Sequence, residues 1–279
     1  MKKKLPTTRV LLFFDIIKNR LSLLFSVGLI ILLFSIPFIV LSVYYNRYIA
    51  SISLELSDEQ IYSTIFTVLN IKNLLFIPAS IVLSLALSGV YQIMRRLVFG
   101  EGVIIKSDFK KGIKENFYTF MICAIILSIL NFIIQYLLFL NVKSDTGYII
   151  ALAIIIALII IVVPVILLVM NQTTIYNLKL SYKFKNGFLL SFRKFYFTYP
   201  LGLLNIGLVL LFLIPNNIVY LCLIGLLPLV VSPFIILLNI LVNDSILDEF
   251  INKEHFPEIY KKGFNYESSI EQSSKDNSQ

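Results

Sequence analysis

The chain has 279 residues, of which 58% are apolar and 14% charged, with a formal net charge of +8. About a quarter of the residues of a soluble domain are charged, so this composition, with a mean hydropathy of +0.88, excludes an ordinary soluble protein and predicts an integral membrane protein. The single histidine, His255, lies in the polar C-terminal region, which excludes a multi-histidine metal site and a Ser-His-Asp triad.

The first predicted element is a short amphipathic helix ahead of the first apolar run. Phe13, Ile17 and Leu21 are spaced by four residues, which indicates one helix face. We expect this helix to lie in the membrane interface, with its apolar side towards acyl chains and its basic side towards anionic headgroups. A signal peptide is the alternative. It is disfavoured because the following apolar run is longer than an h-region of about 7 to 15 residues and no A-x-A-like site follows.

Six apolar runs are long enough to cross a membrane, which takes about 20 residues in a helix. The predicted spans are residues 21–43, 74–94, 117–140, 148–170, 195–214 and 218–242. The sequence therefore predicts an all-α polytopic bundle of six transmembrane helices in three hairpins. This transmembrane domain covers residues 1–243, and residues 244–279 form a cytoplasmic tail that we expect to be disordered from about residue 265.

The second span carries small side chains at regular intervals. Ser80, Ser84 and Ser88 recur every four residues, with Gly89 beside the last. Such a stripe allows two helix backbones to approach closely. We expect it to pack against another helix of the same chain, and a homodimer contact is the alternative.

A short basic stretch with aromatic ends occurs twice, as "FKKGIKENF" at 109–117 and "FKNGFLLSF" at 184–192. Its apolar residues again recur every four positions, so with the N-terminal helix they predict three interfacial helices, each entering one two-span hairpin. Gly112 and Gly187 occupy the same place in the two copies and indicate a turn or close packing, since glycine costs a helix about 1 kcal/mol. The predicted interfacial anchors are Phe13, Ile17, Phe109, Ile113, Phe117, Phe184, Phe188 and Phe192.

The basic residues predict the orientation, because Lys and Arg concentrate in cytoplasmic loops. Of the 24 Lys and Arg residues, all but Arg47, Lys72 and Lys143 lie in the N-terminal segment, the second and fourth loops or the C-terminal tail. Both termini should therefore be cytoplasmic. Nucleic-acid binding is not expected, since these charges are spread along the membrane edge.

Nothing in the spans points to catalysis. The charged residues all fall outside the six runs, and the strongest polar groups inside them are Asn131, Gln135, Asn205 and Asn239. Ionisable residues in spans usually mark proton relays and ion paths, so their absence argues against a proton-coupled pump and against an intramembrane hydrolase. We expect no enzymatic activity. The cysteines lie within apolar runs, and we expect no disulfide framework, no metal and no cofactor.

One stretch resembles a known family. Residues 75–117 contain a Gly-Glu pair at Gly100 and Glu101 and then the pattern D-F-x-x-G-x-x-x-N-F, which comprises Asp108, Phe109, Gly112, Asn116 and Phe117. This stretch resembles the YesL-like (DUF624) family of bacterial integral membrane proteins. The resemblance implies a multi-pass protein of the bacterial cytoplasmic membrane, of unestablished activity, that accompanies carbohydrate uptake. It supplies no catalytic residue.

Two functions therefore remain open. The first is a non-enzymatic membrane protein that is accessory to, or a scaffold for, carbohydrate uptake or another envelope process. The second is a transporter or channel for an uncharged or lipophilic solute. The expected partners are the lipid bilayer, a membrane protein such as a permease, and a second copy of the chain.

Overall fold

The computed structural model describes residues 6, 8–52, 58–141, 145–210 and 217–264. Within these ranges the chain is helical and contains no strand, which confirms the all-α prediction. Two π-helical segments, Leu227–Val231 and Asp248–Asn252, join the last three helices into one run. The helices are α1 Arg9–Ile52, α2 Asp58–Val98, α3 Ile105–Asn141, α4 Asp145–Ile175, α5 Leu180–Arg193, α6 Phe195–Leu210, α7 Asn217–Leu226, α8 Ser232–Leu247 and α9 Lys253–His255.

Five helices of the described ranges are long and apolar enough to cross a membrane. They are Arg9–Ile49, Gln60–Val98, Ile105–Asn141, Thr146–Ile175 and Cys222–His255. These helices overlap the first four predicted spans and the last, and they support a multi-pass membrane protein. The predicted fifth span corresponds to α6, which has 16 residues, and its remainder lies outside the described residues. Six spans in three hairpins therefore stay a prediction.

The helices extend well beyond the apolar runs. The 41 residues of α2 correspond to about 60 Å of helix, twice the roughly 30 Å of a bilayer's hydrocarbon core. The connection expected between the first two spans is helical up to Ile52 and again from Asp58. A helix does not have to end where its apolar run ends, because polar residues can continue its backbone hydrogen bonds into water.

The three predicted interfacial helices differ from one another. In α1, Arg20 has a non-helical backbone (φ −132, ψ 26), which separates the first turns from the rest of the helix. The last, α5, is a separate helix that ends in a break at Lys194 (φ −121, ψ 40). The middle stretch, 109–117, continues without a break into the rest of α3. The three stretches share one sequence pattern. Only the first and the last are separated by a break from the helix that follows.

The core lies around the second half of α2. This helix packs most extensively against α3, and it also contacts α1, α4 and α8. The close α2–α3 pair joins two of the predicted hairpins rather than the two arms of one. The largest side chains buried here are Tyr91, Ile93, Met94, Phe120, Leu237 and Ile240.

The C-terminal region returns to the bundle. The predicted boundary after residue 243 falls inside α8, and the helical run continues to His255. Residues 256–264, here called the C-terminal strap, then fold back over the turn between α2 and α3. The Lys262 ammonium lies 2.8 Å from Glu101 Oε1, and the Phe264 ring lies 4.7 Å from the Arg9 guanidinium. The part of the tail predicted to be disordered, 265–279, is outside the described residues.

Candidate functional site

The turn between α2 and α3 contains the first two residues of the family-like motif, Gly100 and Glu101, and the other five lie in α3. Gly100 has a left-handed backbone (φ +68), and its N–H donates to the Leu97 carbonyl over 3.2 Å while the Glu101 N–H donates to the Arg96 carbonyl over 2.9 Å. This is a Schellman arrangement, which ends a helix with glycine in the left-handed conformation. Gly100 therefore stops α2 and reverses the chain.

Ion pairs hold this turn together. The Arg96 guanidinium donates to Asp108 and, over 3.1 Å, to Glu101. The other Asp108 oxygen accepts the Ile104 N–H at 2.8 Å, where the positive end of the α3 dipole favours a carboxylate. Burial raises the pKa of the Glu101 carboxyl, but the hydrogen bond from Lys262 and the nearby arginines outweigh burial and leave the pKa below its ordinary value.

The rest of the motif brings α2 and α3 into contact. A Cβ on Gly112 would lie 2.6 Å from Gln92 Cβ and 2.7 Å from the Ser88 carbonyl oxygen, so the two backbones touch there. The Phe109 ring lies over Gly89, with its centroid 6.0 Å from that of Phe34. The motif thus specifies a tight helix–turn–helix junction, in which Gly112 and Phe109 pack α3 against α2.

The serine stripe of α2 faces the protein interior. Ser84 and Ser88 are fully buried, and the Ser80 hydroxyl lies 2.7 Å from that of Ser128 in α3. Because the stripe and Gly112 lie on facing sides of α2 and α3, they form one contact within the chain.

The predicted anchors fall into two groups. Phe188 and Phe192 are exposed, by 50% and 43%, on the outer side of α5, while Gly187 packs against Val165 and Val169 of α4. The others are half-buried: Phe13, Ile17, Phe109, Ile113, Phe117 and Phe184. Because the Phe109 ring contacts protein on Gly89, we retain the lipid-anchor prediction chiefly for the two exposed rings of α5.

A second charged group, here called the Arg9 cluster, consists of Arg9, Asp244 and Asp248. The Arg9 guanidinium donates to Asp248 and lies 3.6 Å from Asp244. Asn171 in α4 donates to Asp244 over 2.7 Å, and Asn252 donates to Asp248 over 2.7 Å. The cluster joins the first turn of α1, the end of α4 and the end of α8.

The sequence analysis missed this cluster, and its expectation that carboxylates lie outside the membrane-spanning helices needs correction. Asp244 is 1% exposed and lies inside a helix long enough to span a membrane, so a buried carboxylate is present at a span end. The hydropathy of the chain falls after residue 242, which placed Asp244 in the tail. The available signal was the recurrence of Asp244, Asp248 and Asn252 every four residues, since this spacing puts polar groups on one helix face.

Three of the four polar residues expected at depth, Asn131, Asn205 and Asn239, pair across helices, and Gln135 pairs within α3. Asn205 in α6 and Asn239 in α8 exchange amide hydrogen bonds of 2.9 and 3.0 Å. Asn131 donates to Asn73 over 3.2 Å, and Gln135 donates to Asn131 over the same distance. Such amide contacts stabilise helix association where water is absent.

Within the described ranges no group of three or more His, Cys, Asp or Glu residues could hold a metal ion. Comparison of the chain with protein-family models, curated proteins and solved structures finds no match. The arguments about function therefore rest on the chain's own geometry.

Proposed function

We propose that the protein is a non-enzymatic integral membrane protein that acts by binding a partner protein in the bilayer. The observation that carries this proposal is that the buried ion pairs at the Arg9 end of the bundle link helices of the chain to one another. Arg9, Arg96 and Lys262 pair with Asp244, Asp248, Asp108 and Glu101. These pairs hold helices together, whereas many large apolar side chains on the outer helix faces are exposed. These exposed faces are the surfaces that a partner in the bilayer would contact.

We propose a six-span topology with both termini in the cytoplasm. Lys194, before α6, pairs with Glu249, after α8, over 2.8 Å, and farther along these helices Asn205 pairs with Asn239. α6 therefore runs antiparallel to α8. The start of α1 and the ends of α4 and α8 meet in the Arg9 cluster, which supports an even number of crossings and a crossing that begins with α6.

The topology predicts the outcome of reporter fusions. A reporter that folds only outside the cytoplasm should be active when fused after Ser144 or Asn216 and inactive after Lys111 or Lys185, because the basic loops stay inside. Activity in cells, normalised to the amount of fusion protein, is the measurement. Activity after Lys111, or none after Asn216, would contradict the orientation or the sixth crossing.

We propose that the partner is a permease of the bacterial cytoplasmic membrane, as the YesL-like resemblance implies. Cross-linking in native membranes followed by purification should recover one permease in a fixed ratio to this protein. Recovery of no membrane protein above the level seen with an unrelated six-span control would contradict a scaffold role.

Transport of a lipophilic solute is the second candidate, and an apolar groove between α1, α6 and α8 favours it. Purified protein in liposomes separates the two functions. The scaffold proposal predicts no solute uptake above that of protein-free liposomes, whereas uptake by the protein alone would replace it with transport.

A further inference from the structure

The outer side of α5 carries an exposed surface of aromatic, aliphatic and basic residues, here called the α5 surface. It comprises Lys179, just before the helix, and then Tyr182, Lys185, Phe188, Leu189 and Phe192. The rings of Phe188 and Phe192 contact each other, with their centroids 4.8 Å apart. Gly187 and Leu190 face the opposite way and are buried. One side of α5 therefore lies against the bundle, and the other faces the surroundings of the protein.

The contact between α5 and α4 places this surface near the end of a membrane span. A Cβ on Gly187 would lie 3.1 Å from Val169 Cγ2 and 3.2 Å from the Val165 carbonyl oxygen. Val165 lies five residues before Met170, where the predicted fourth span ends, and this is about 8 Å of helix. An amphipathic helix in the membrane interface buries its apolar face to a depth of about 5 to 10 Å. The α5 surface thus lies at the boundary between headgroups and acyl chains.

The charge of the α5 surface is positive and unpaired. Residues 146–243 include no Asp or Glu, so α5 has no acidic residue of its own and none close to it in sequence. Lys179 and Lys185 are exposed and form no ion pair with a carboxylate of the described residues. Lys194, in contrast, pairs with Glu249 over 2.8 Å. Two ammonium groups beside exposed rings match an anionic phospholipid, whose phosphate attracts the lysines while its acyl chains contact the rings.

The matching stretch of α3 differs in both its first ring and its charges. The Phe109 ring lies over Gly89 of α2 and so contacts protein. An acidic residue accompanies the lysines of this stretch, since Glu115 Oε1 lies 4.0 Å from Lys111 Nζ. The two copies share one sequence pattern, but of the two it is α5 that combines outward rings with unpaired lysines.

We propose that α5 binds anionic phospholipid selectively, with headgroup phosphates beside Lys179 and Lys185 and acyl chains against Phe188 and Phe192. The preference arises because a zwitterionic headgroup carries a cation as well as a phosphate and gains less from two unpaired lysines. The apolar contact is the same for both classes of lipid, so the lysines set the selectivity.

The absence of tryptophan from the chain allows a direct test. Phe188→Trp places a fluorophore on the α5 surface, and Leu203→Trp places one on an exposed part of α6. Each purified variant is reconstituted into symmetric liposomes of phosphatidylcholine and phosphatidylglycerol, in which one of the two lipids carries bromine on its acyl chains and quenches tryptophan. Brominated phosphatidylglycerol should quench Phe188→Trp more strongly than an equal fraction of brominated phosphatidylcholine, whereas the two lipids should quench Leu203→Trp alike.

Charge variants assign the preference to α5. Adding Lys179→Gln and Lys185→Gln to Phe188→Trp should lower the local excess of phosphatidylglycerol by up to about fivefold for each lysine, the equivalent of roughly 1 kcal/mol. Lys110→Gln with Lys111→Gln removes the same charge from exposed positions of α3 and should leave the excess unchanged. Equal quenching of Phe188→Trp by the two brominated lipids, quenching by neither, or an equal loss in the two pairs of lysine variants would overturn the proposal. Because purified protein in symmetric liposomes is used, the result is independent of a partner protein and of the orientation of the chain.

Discussion

Replacing Arg9 with methionine is expected to lower the free energy of unfolding by about 3 to 5 kcal/mol, the usual cost of removing one partner of a buried ion pair. Methionine fills much of the same space but leaves Asp244 and Asp248 without their cation. Asp244 is 1% exposed, so water cannot replace the lost charge. The measurement is chemical or thermal unfolding of the purified protein in detergent micelles.

Two further variants test the cause of this loss. Arg20→Met removes an exposed arginine at the α1 kink and should change stability little. Adding Asp244→Asn and Asp248→Asn to Arg9→Met should recover part of the loss, because neutral buried groups cost less than unpaired charges. If Arg9→Met and Arg20→Met behave alike, the Arg9 cluster does not stabilise the fold.

The second large effect is expected at Gly112. A Cβ there would lie 2.7 Å from the Ser88 carbonyl oxygen and 2.8 Å from Gly89 Cα, and a main-chain clash cannot be relieved by changing a rotamer. Overpacking costs about 1 to 3 kcal/mol, which exceeds the gain of at most about 1 kcal/mol from a better helix former. Gly112→Ala should therefore destabilise the protein, and Gly112→Leu should do so more strongly.

Gly207 provides the matched control for this series. It lies in α6, and the position of its Cβ has no atom within 4 Å, so Gly207→Ala should be neutral or stabilising. Unfolding in the same detergent compares the variants. A Gly112→Ala protein as stable as Gly207→Ala would mean that α2 and α3 separate without cost, and that the glycine is not needed for their contact.

Local patterns predicted the helical class and part of the packing. Apolar length alone indicates membrane helices, and the four-residue recurrence of Ser80, Ser84 and Ser88 indicates a helix contact whichever helix is opposite. The resemblance motif identified the residues of the α2–α3 junction but not their role. The role of Gly100 follows from its left-handed backbone, and the role of Asp108 follows from its pairing with Arg96. Neither is visible in the sequence.

Long-range pairing could not be predicted in the same way. Arg9 and Asp248 are 239 positions apart, and no periodicity relates them. Hydropathy also sets the end of a span by average composition, so it assigned Asp244 to the tail although its own surroundings are buried. Phe109 shows the same limit, because the spacing that indicates an apolar helix face does not distinguish lipid from the surface of a neighbouring helix.

The Arg9 cluster can form only late in synthesis, because it joins residues from the two ends of the described chain. A ribosome releases α1 long before Asp244 and Asp248 are made, so the first helix enters the bilayer with its arginine unpaired. The last helix and the C-terminal strap then close the structure by supplying both carboxylates and the Phe264 ring. A chain that stops short of residue 244 would keep α1 to α7 yet lack this closure, and its Arg9 would have neither carboxylate as a partner.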